Sequence, residues 1–197
     1  MSTVAPVETM NMKARTGQFT GVLDNAQLTD GGGARLEVEA GMRAMLEAVK
    51  ALRAAGGSLY IIGNGGSAAV ASHAVTDFVN VAKLRATTIH DSSLLTCMAN
   101  DYGYEAAFAR ILSTMVRPAD MLIAISSSGR SRNITNAVTA VREAGGKAIT
   151  LSGFEPGNAL RSLGHFNIWL DSKDYGFVEI GHQFFLHNLA DRLRVGL

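Results

Sequence analysis

A chain of 197 residues, 47% of them hydrophobic, can bury one substantial core but is short for two independent domains. Its 18 Lys and Arg nearly balance 17 Asp and Glu, so the total argues against the broad basic field of a nucleic-acid or anionic-membrane binder. The lone Cys97 excludes an intramolecular disulfide and every multi-cysteine zinc site; its neighbours Leu94, Leu95 and Met98 predict a buried structural thiol.

No run of about 18 apolar residues is present to span a bilayer, and the first thirty residues lack a basic start followed by an apolar stretch. The expectation is a cytoplasmic protein with neither a membrane nor a nucleic acid as partner. Residues 1–33 mix polar, glycine and short apolar pieces and end in Gly31-Gly32-Gly33; they read as a divergent segment with one short helix, ahead of a single domain over 34–197. From Ala34 to Ala55 the residues Leu36, Val38, Met42, Met45, Leu46, Val49 and Leu52 recur at helical spacing, and Gly56-Gly57 supplies the stop.

Short apolar segments then alternate with amphipathic ones. Strands are predicted at Ser58–Ile62, Ala86–Ile89, Met121–Ile125, Ala148–Leu151 and Ile168–Leu170. Helices are predicted at Ser67–Val81, Ser92–Met98, Tyr104–Thr114, Asn133–Ala144 and Phe177–Arg194. This alternation specifies an α/β fold, a doubly wound parallel sheet flanked by helices, in which ligands bind beyond the carboxyl ends of the strands.

Two strand-to-helix loops fall at such ends. In Gly63-Asn64-Gly65-Gly66-Ser67, three glycines let the backbone approach a ligand, and the following helix start offers amide N–H groups to an anion. A tight turn could require the glycines by itself, and the spacing matches neither the Rossmann fingerprint nor the Walker loop, which disfavours a nucleotide-binding domain. In Ser126-Ser127-Ser128-Gly129-Arg130-Ser131, four hydroxyls surround one glycine just before a helix, a donor set suited to phosphate oxygens. A helix N-cap needs only one of them.

The two loops, in this order and on these strands, resemble the SIS (sugar isomerase) domain, whose serine-rich loop holds a sugar phosphate. The segment Asn100-Asp101-Tyr102-Gly103-Tyr104, following Asp91-Ser92-Ser93, is similar to the one that phosphoheptose isomerases carry between the loops. The likeness implies a three-layer sandwich, a sugar-phosphate substrate contacted by Asn64, Gly65, Gly66, Ser67, Ser126, Ser127, Ser128 and Ser131, and Asp91 as a candidate for the sugar. It also implies one zinc ion per subunit. The family's ligands, a histidine and a glutamate four apart on the helix after the first loop and a glutamine and a histidine eight apart on the last helix, fall here on His73, Asp77, Glu179 and His187.

Residues i and i+4 share a helix face, so His73 and Asp77 can converge on one ion; Glu179 and His187 lie about 80° apart around theirs. His182 is a rival ligand by position, whereas His90 and His165 read as ordinary loop or strand-end residues. Two departures stand out: the family's glutamate is shortened to Asp77, and its neutral glutamine becomes the anionic Glu179.

Aldose–ketose isomerisation needs a base for the proton beside the carbonyl, an acid for the oxygens, and stabilisation of the enediolate. The resemblance gives Asp77 the first role, His187 the second and the metal the third, on sedoheptulose 7-phosphate. It further implies a homotetramer with active sites between subunits. The rival reading is a non-catalytic SIS module, a sugar-phosphate sensor or a partner-binding tetramer similar to the protein that associates with the bacterial replication initiator. An acid at position 77 together with both histidines favours the enzyme.

Overall fold

The structure, a computed structural model, describes residues 10–195. Expectations for residues 1–9 and for the last two residues lie outside the described residues. A seven-stranded sheet runs in the order β2-β1-β7-β6-β5-β3-β4. Its strands are β1 (Gln27–Asp30), β2 (Arg35–Leu36), β3 (Ser58–Ile62), β4 (Arg85–Thr87), β5 (Met121–Ser126), β6 (Lys147–Ser152) and β7 (Phe166–Trp169). The helices are α1 (Met12–Asp24), α2 (Val38–Ala54), α3 (Gly66–Asn80), α4 (Ser92–Tyr102), α5 (Tyr104–Met115), α6 (Arg132–Glu143) and α7 (Tyr175–Val195), with a short 3-10 turn at Ala159–Ser162.

The five predicted strands form the parallel body of this sheet. Their pleat sorts residues between two cores, since alternate side chains point to opposite faces. Leu59, Ile61, Met121, Ile123 and Ile125 join α2, α3 and α7 on one side. Tyr60, Ile62, Leu122 and Ala124 join α5 and α6 on the other. Both faces of β5 are therefore buried, which is why it reads as an unbroken apolar run.

The sequence reading missed β1 and β2. β1 pairs antiparallel with β7, Leu28 against Ile168, and β2 pairs antiparallel with β1. Gln27–Asp30 carries one apolar residue, Leu28, so no alternation marks it; the open edge of β7 selects it. Because Arg35–Leu36 belongs to β2, helix α2 starts four residues after the predicted Ala34, with the Glu37 side chain accepting from the Ala40 amide as its cap. Before β1, helix α1 is pinned to α7 by an Arg15–Asp174 ion pair of 2.7 Å and by the Arg15 guanidinium over the Phe177 ring.

Cys97 corrects the predicted buried thiol: it is exposed on α4, with Sγ 3.8 Å from Asp101 Oδ2. α4 buries no residue fully, and it turns Leu94, Leu95 and Met98 toward the core, leaving Cys97 on the opposite side. Among the described residues no helix is long and apolar enough to cross a membrane.

From β3 the chain passes to β4 on one side and then returns to β5, β6 and β7 on the other. The strand order reverses between β3 and β5, and the crevice at that switch point lies between their carboxyl ends. Both glycine- and serine-rich loops open onto it.

Candidate active site

The first loop is shaped by its glycines. Gly65 has φ +54°, a left-handed conformation that favours glycine. A Cβ on Gly66 would run into the carboxylate of Glu179, so α7 closes directly over the start of α3. No side chain caps α3. Its first amides, with the positive end of the helix dipole, remain for an anion.

The second loop is held by its own hydrogen bonds. The Gly129 amide donates to the Ser126 carbonyl at 2.9 Å, and the Ser126 hydroxyl lies 3.2 Å from that of Ser131. Ser131 occupies the N-cap position of α6 yet makes no side-chain cap bond, so the serines are not spent on capping. Ser127 buries its hydroxyl without a partner, an uncommon state that an incoming acceptor would relieve. Beneath the loop, buried Asn158 donates to the Gly153 and Glu155 carbonyls, and a Cβ on Gly129 would strike it.

Together the loops enclose a cavity of about 260 Å³, lined by Asn64, Gly65, Gly66, Ser67, Ile125, Ser126, Ser127, Ser128 and Ser131, and by Tyr175 and Glu179 of α7. It is small, polar and without a fixed cation in its wall, which suits one phosphate group with part of a sugar. Asp91 is not in this wall. Its carboxylate accepts from the Leu94 amide at 2.9 Å and caps α4. Arg130 is exposed.

Further along α3, a second group of residues meets α7. Ligand atoms of His73, Asp77 and His187 all lie within 4.8 Å of one another. The His73 and His187 rings meet edge to face at 5.0 Å, and His187 Nδ1 approaches Asp77 Oδ2 to 2.7 Å. That approach lacks the alignment of a hydrogen bond, since Asp77 Oδ2 is buried with no hydrogen-bond partner. Two imidazoles around an orphaned carboxylate oxygen are a donor set that fits a divalent ion of the zinc type with coordination positions left open.

Glu179 does not join this cluster. It stands two turns earlier on α7, over Gly66 and in the wall of the loop cavity. Gln183 lies between Glu179 and His187 and buries its Nε2 without a partner. The rival His182 is fully buried, donating from Nε2 to the Ser152 carbonyl at 3.1 Å, and burial pushes its pKa down to about 4. A neutral imidazole there braces α7 against the end of β6.

Sequence reasoning missed several participants. The Asn133 side chain, two residues past the serine loop, exchanges two hydrogen bonds with that of Asn64, and the Tyr104 hydroxyl lies 2.8 Å from Asn64 Oδ1. Tyr104 belongs to the Asn100–Tyr104 segment already singled out; Tyr175 carries no sequence signal. His90, read as an ordinary loop residue, accepts from the Gly63 amide through Nε2 at 3.4 Å, and burial lowers its pKa. His165 does behave as a strand-end residue, accepting from the Ala148 amide.

The SIS domain model matches residues 34–153, more than half of the chain. A phosphoheptose isomerase of Mycobacterium tuberculosis is 35% identical, the match covering 79% of this chain and 85% of that protein. The chain belongs to the SIS domain family, on its phosphoheptose isomerase branch. Among solved structures, a phosphoheptose isomerase from Francisella tularensis has a TM-score of 0.82 at 22% identity, covering 98% of this chain and all of that one. The Neisseria gonorrhoeae phosphoheptose isomerase gives 0.79 at 24% identity, covering 93% and 96%. These structural likenesses carry the fold, a helix-flanked α/β sheet of SIS type.

Proposed function

We propose that the chain is an aldose–ketose isomerase that interconverts sedoheptulose 7-phosphate and D-glycero-manno-heptose 7-phosphate. The observation that carries this reading is the juxtaposition of two chemistries along α3. A cavity of amides and hydroxyls opens at its N-terminus, and a His/Asp/His cluster stands farther along the same helix, with His73 about 9 Å beyond Ser67 at the helical rise. A substrate with an anionic group at one end and a reacting carbonyl several carbons away suits that separation.

In this mechanism the phosphate sits among the first amides of α3 and the hydroxyls of Ser126, Ser127, Ser128 and Ser131, neutral donors that bind without a charged side chain. Glu179 accepts from sugar hydroxyls. Asp77 takes the proton from the carbon beside the carbonyl, and His187, in contact with it at 2.7 Å, serves the oxygens as acid and base. A zinc ion held by His73, Asp77 and His187 would supply electrophilic polarisation of the carbonyl oxygen. The exposed apolar residues Met12, Ile180 and Phe184 on α1 and α7 support assembly into a homotetramer. We place the enzyme in the cytoplasm, with residues 34–197 as one domain whose sheet β1 extends.

The test is conversion of sedoheptulose 7-phosphate by purified protein, with added zinc and with a chelator, following solvent deuterium by NMR. Heptose phosphate carrying deuterium at the carbon beside the carbonyl, and lost on chelation, is the expected result. Saturable binding without conversion would overturn the enzyme in favour of a sugar-phosphate sensor.

A further inference from the structure

The two ligand loops come from strands that are neighbours in the sheet but far apart in sequence, and one side-chain pair joins them. Asn64 Nδ2 donates to Asn133 Oδ1 at 2.9 Å, and Asn133 Nδ2 donates back to Asn64 Oδ1 at 2.9 Å. A third group, the Tyr104 hydroxyl of α5, donates to the same Asn64 Oδ1 at 2.8 Å. Asn133 is buried.

Counting valences gives this arrangement a meaning. An amide oxygen accepts two hydrogen bonds and an amide nitrogen donates two. Asn64 Oδ1 is therefore saturated by Asn133 and Tyr104, while Nδ2 has spent one N–H and keeps one. Asn64 lines the loop cavity, so what it offers a ligand is a single donor and no acceptor. Flipping both amides would preserve the reciprocal pair but would aim a carbonyl oxygen at the bound anion. In this arrangement the Tyr104 hydroxyl donates, completes the valence of Asn64 Oδ1 and holds the side chain in place, while the anion disfavours the flipped amide.

We infer that Asn133 and Tyr104 are positioning residues, which fix the Asn64 amide so that the first loop reads an acceptor oxygen of the ligand and stays in register with the serine loop. This rests on the cavity being the sugar-phosphate site. Neither residue needs to touch the substrate; both act through Asn64.

The experiment is a set of mutant cycles with sedoheptulose 7-phosphate as probe, reading Kd, KM and kcat. Tyr104→Phe removes one hydroxyl from a half-exposed ring and is expected to raise Kd and KM about threefold to tenfold with kcat within about twofold, the worth of one hydrogen bond. Asn133→Ala should cost about tenfold or more. In an Asn64→Ala background both effects should shrink below about twofold, because residues acting through one partner are not additive. Effects that persist at full size in that background, or a silent Tyr104→Phe, would overturn the inference.

Hydrogen exchange of the Gly63–Ser67 amides gives a reading that needs no ligand. It should accelerate in Tyr104→Phe and Asn133→Ala, and unchanged exchange in both would refute the latch that Asn133 and Tyr104 form on Asn64. Should the wild type bind no sugar phosphate, the functional proposal fails while the exchange result still decides the latch. Should Asn133→Ala fail to fold, Tyr104→Phe carries the test.

Discussion

The two loops do the same kind of work and are built in opposite ways. The serine loop is organised from within and by one segment after β6: Gly129 bonds back to Ser126, Ser126 meets Ser131, the Gly153 and Leu160 amides donate to the Ser127 and Gly129 carbonyls, and Asn158 fills the space beneath Gly129. The glycine loop makes almost nothing for itself. It borrows Asn133 from α6, Tyr104 from α5, the imidazole of His90 and the carboxylate of Glu179. A loop held by itself and one neighbouring segment depends on few elements, whereas one that borrows from several reports on every element that lends to it.

The largest way to break this contrast is Phe108→Ala. The Phe108 ring is buried against His90 and Tyr104, two of the lenders, with centroids 5.6 and 6.5 Å away. We expect a loss of about 3–5 kcal/mol in urea unfolding, with faster hydrogen exchange at the glycine loop and little change at the serine loop. Gly129→Ala is the mirror experiment. At φ +62° and with Asn158 in the way, the added methyl should cost about 3 kcal/mol and disturb the serine loop alone.

Lowering the pH probes two histidines near the site, His90 behind the glycine loop and His182 between α7 and the end of β6. The folded-state pKa values of His90 and His182 are depressed by burial below the usual 6.5, so the unfolded chain takes up protons that the folded chain refuses. Their stabilisation is complete above about pH 6.5 and is lost as the pH falls. For His182 the window runs down to about 4 and the loss is on the order of 3 kcal/mol. A stability–pH series by chemical unfolding should show this decline, and His182→Gln should flatten most of it.

Glu179→Gln sharpens the comparison at smallest cost. Removing a carboxylate from the wall of the anion cavity should tighten binding of inorganic phosphate by about threefold to tenfold at low salt, with the gain shrinking as salt rises. Metal affinity, measured by zinc titration in the absence of substrate, should hold steady if the carboxylate stays over Gly66. A tenfold loss would return Glu179 to the ligand set that the family pattern suggested.

Much of this was legible in the chain. Of the five parallel strands β3, β5, β6 and β7 are short, largely buried runs, whereas β4 is an exposed edge of three residues, and Met42, Met45, Leu46 and Val49 declare α2 by periodicity. Both loops could be read because glycine and serine at strand ends carry a backbone meaning. β1 could not, because Gln27–Asp30 takes its strand character from β7. Nor could the environment of Glu179, since its place on the helix was fixed by register but the neighbour it meets, Gly66, lies 113 positions earlier and touches it only through the packing of α3 on α7. Cys97 was misread because apolar neighbours in sequence were taken as neighbours in space.

The antiparallel ribbon at the start of the sheet has a consequence for how the protein avoids its own kind. One margin of the sheet ends on a two-residue strand and the other on a three-residue strand, neither long enough to template another chain. Remove β1, the strand that covers β7, and the four residues Phe166–Trp169 become an open edge with unpaired amides and carbonyls. A fragment cut at residue 34, where the family match begins, should therefore associate edge to edge, and the modest segment before it serves as a stopper against fibre-like growth.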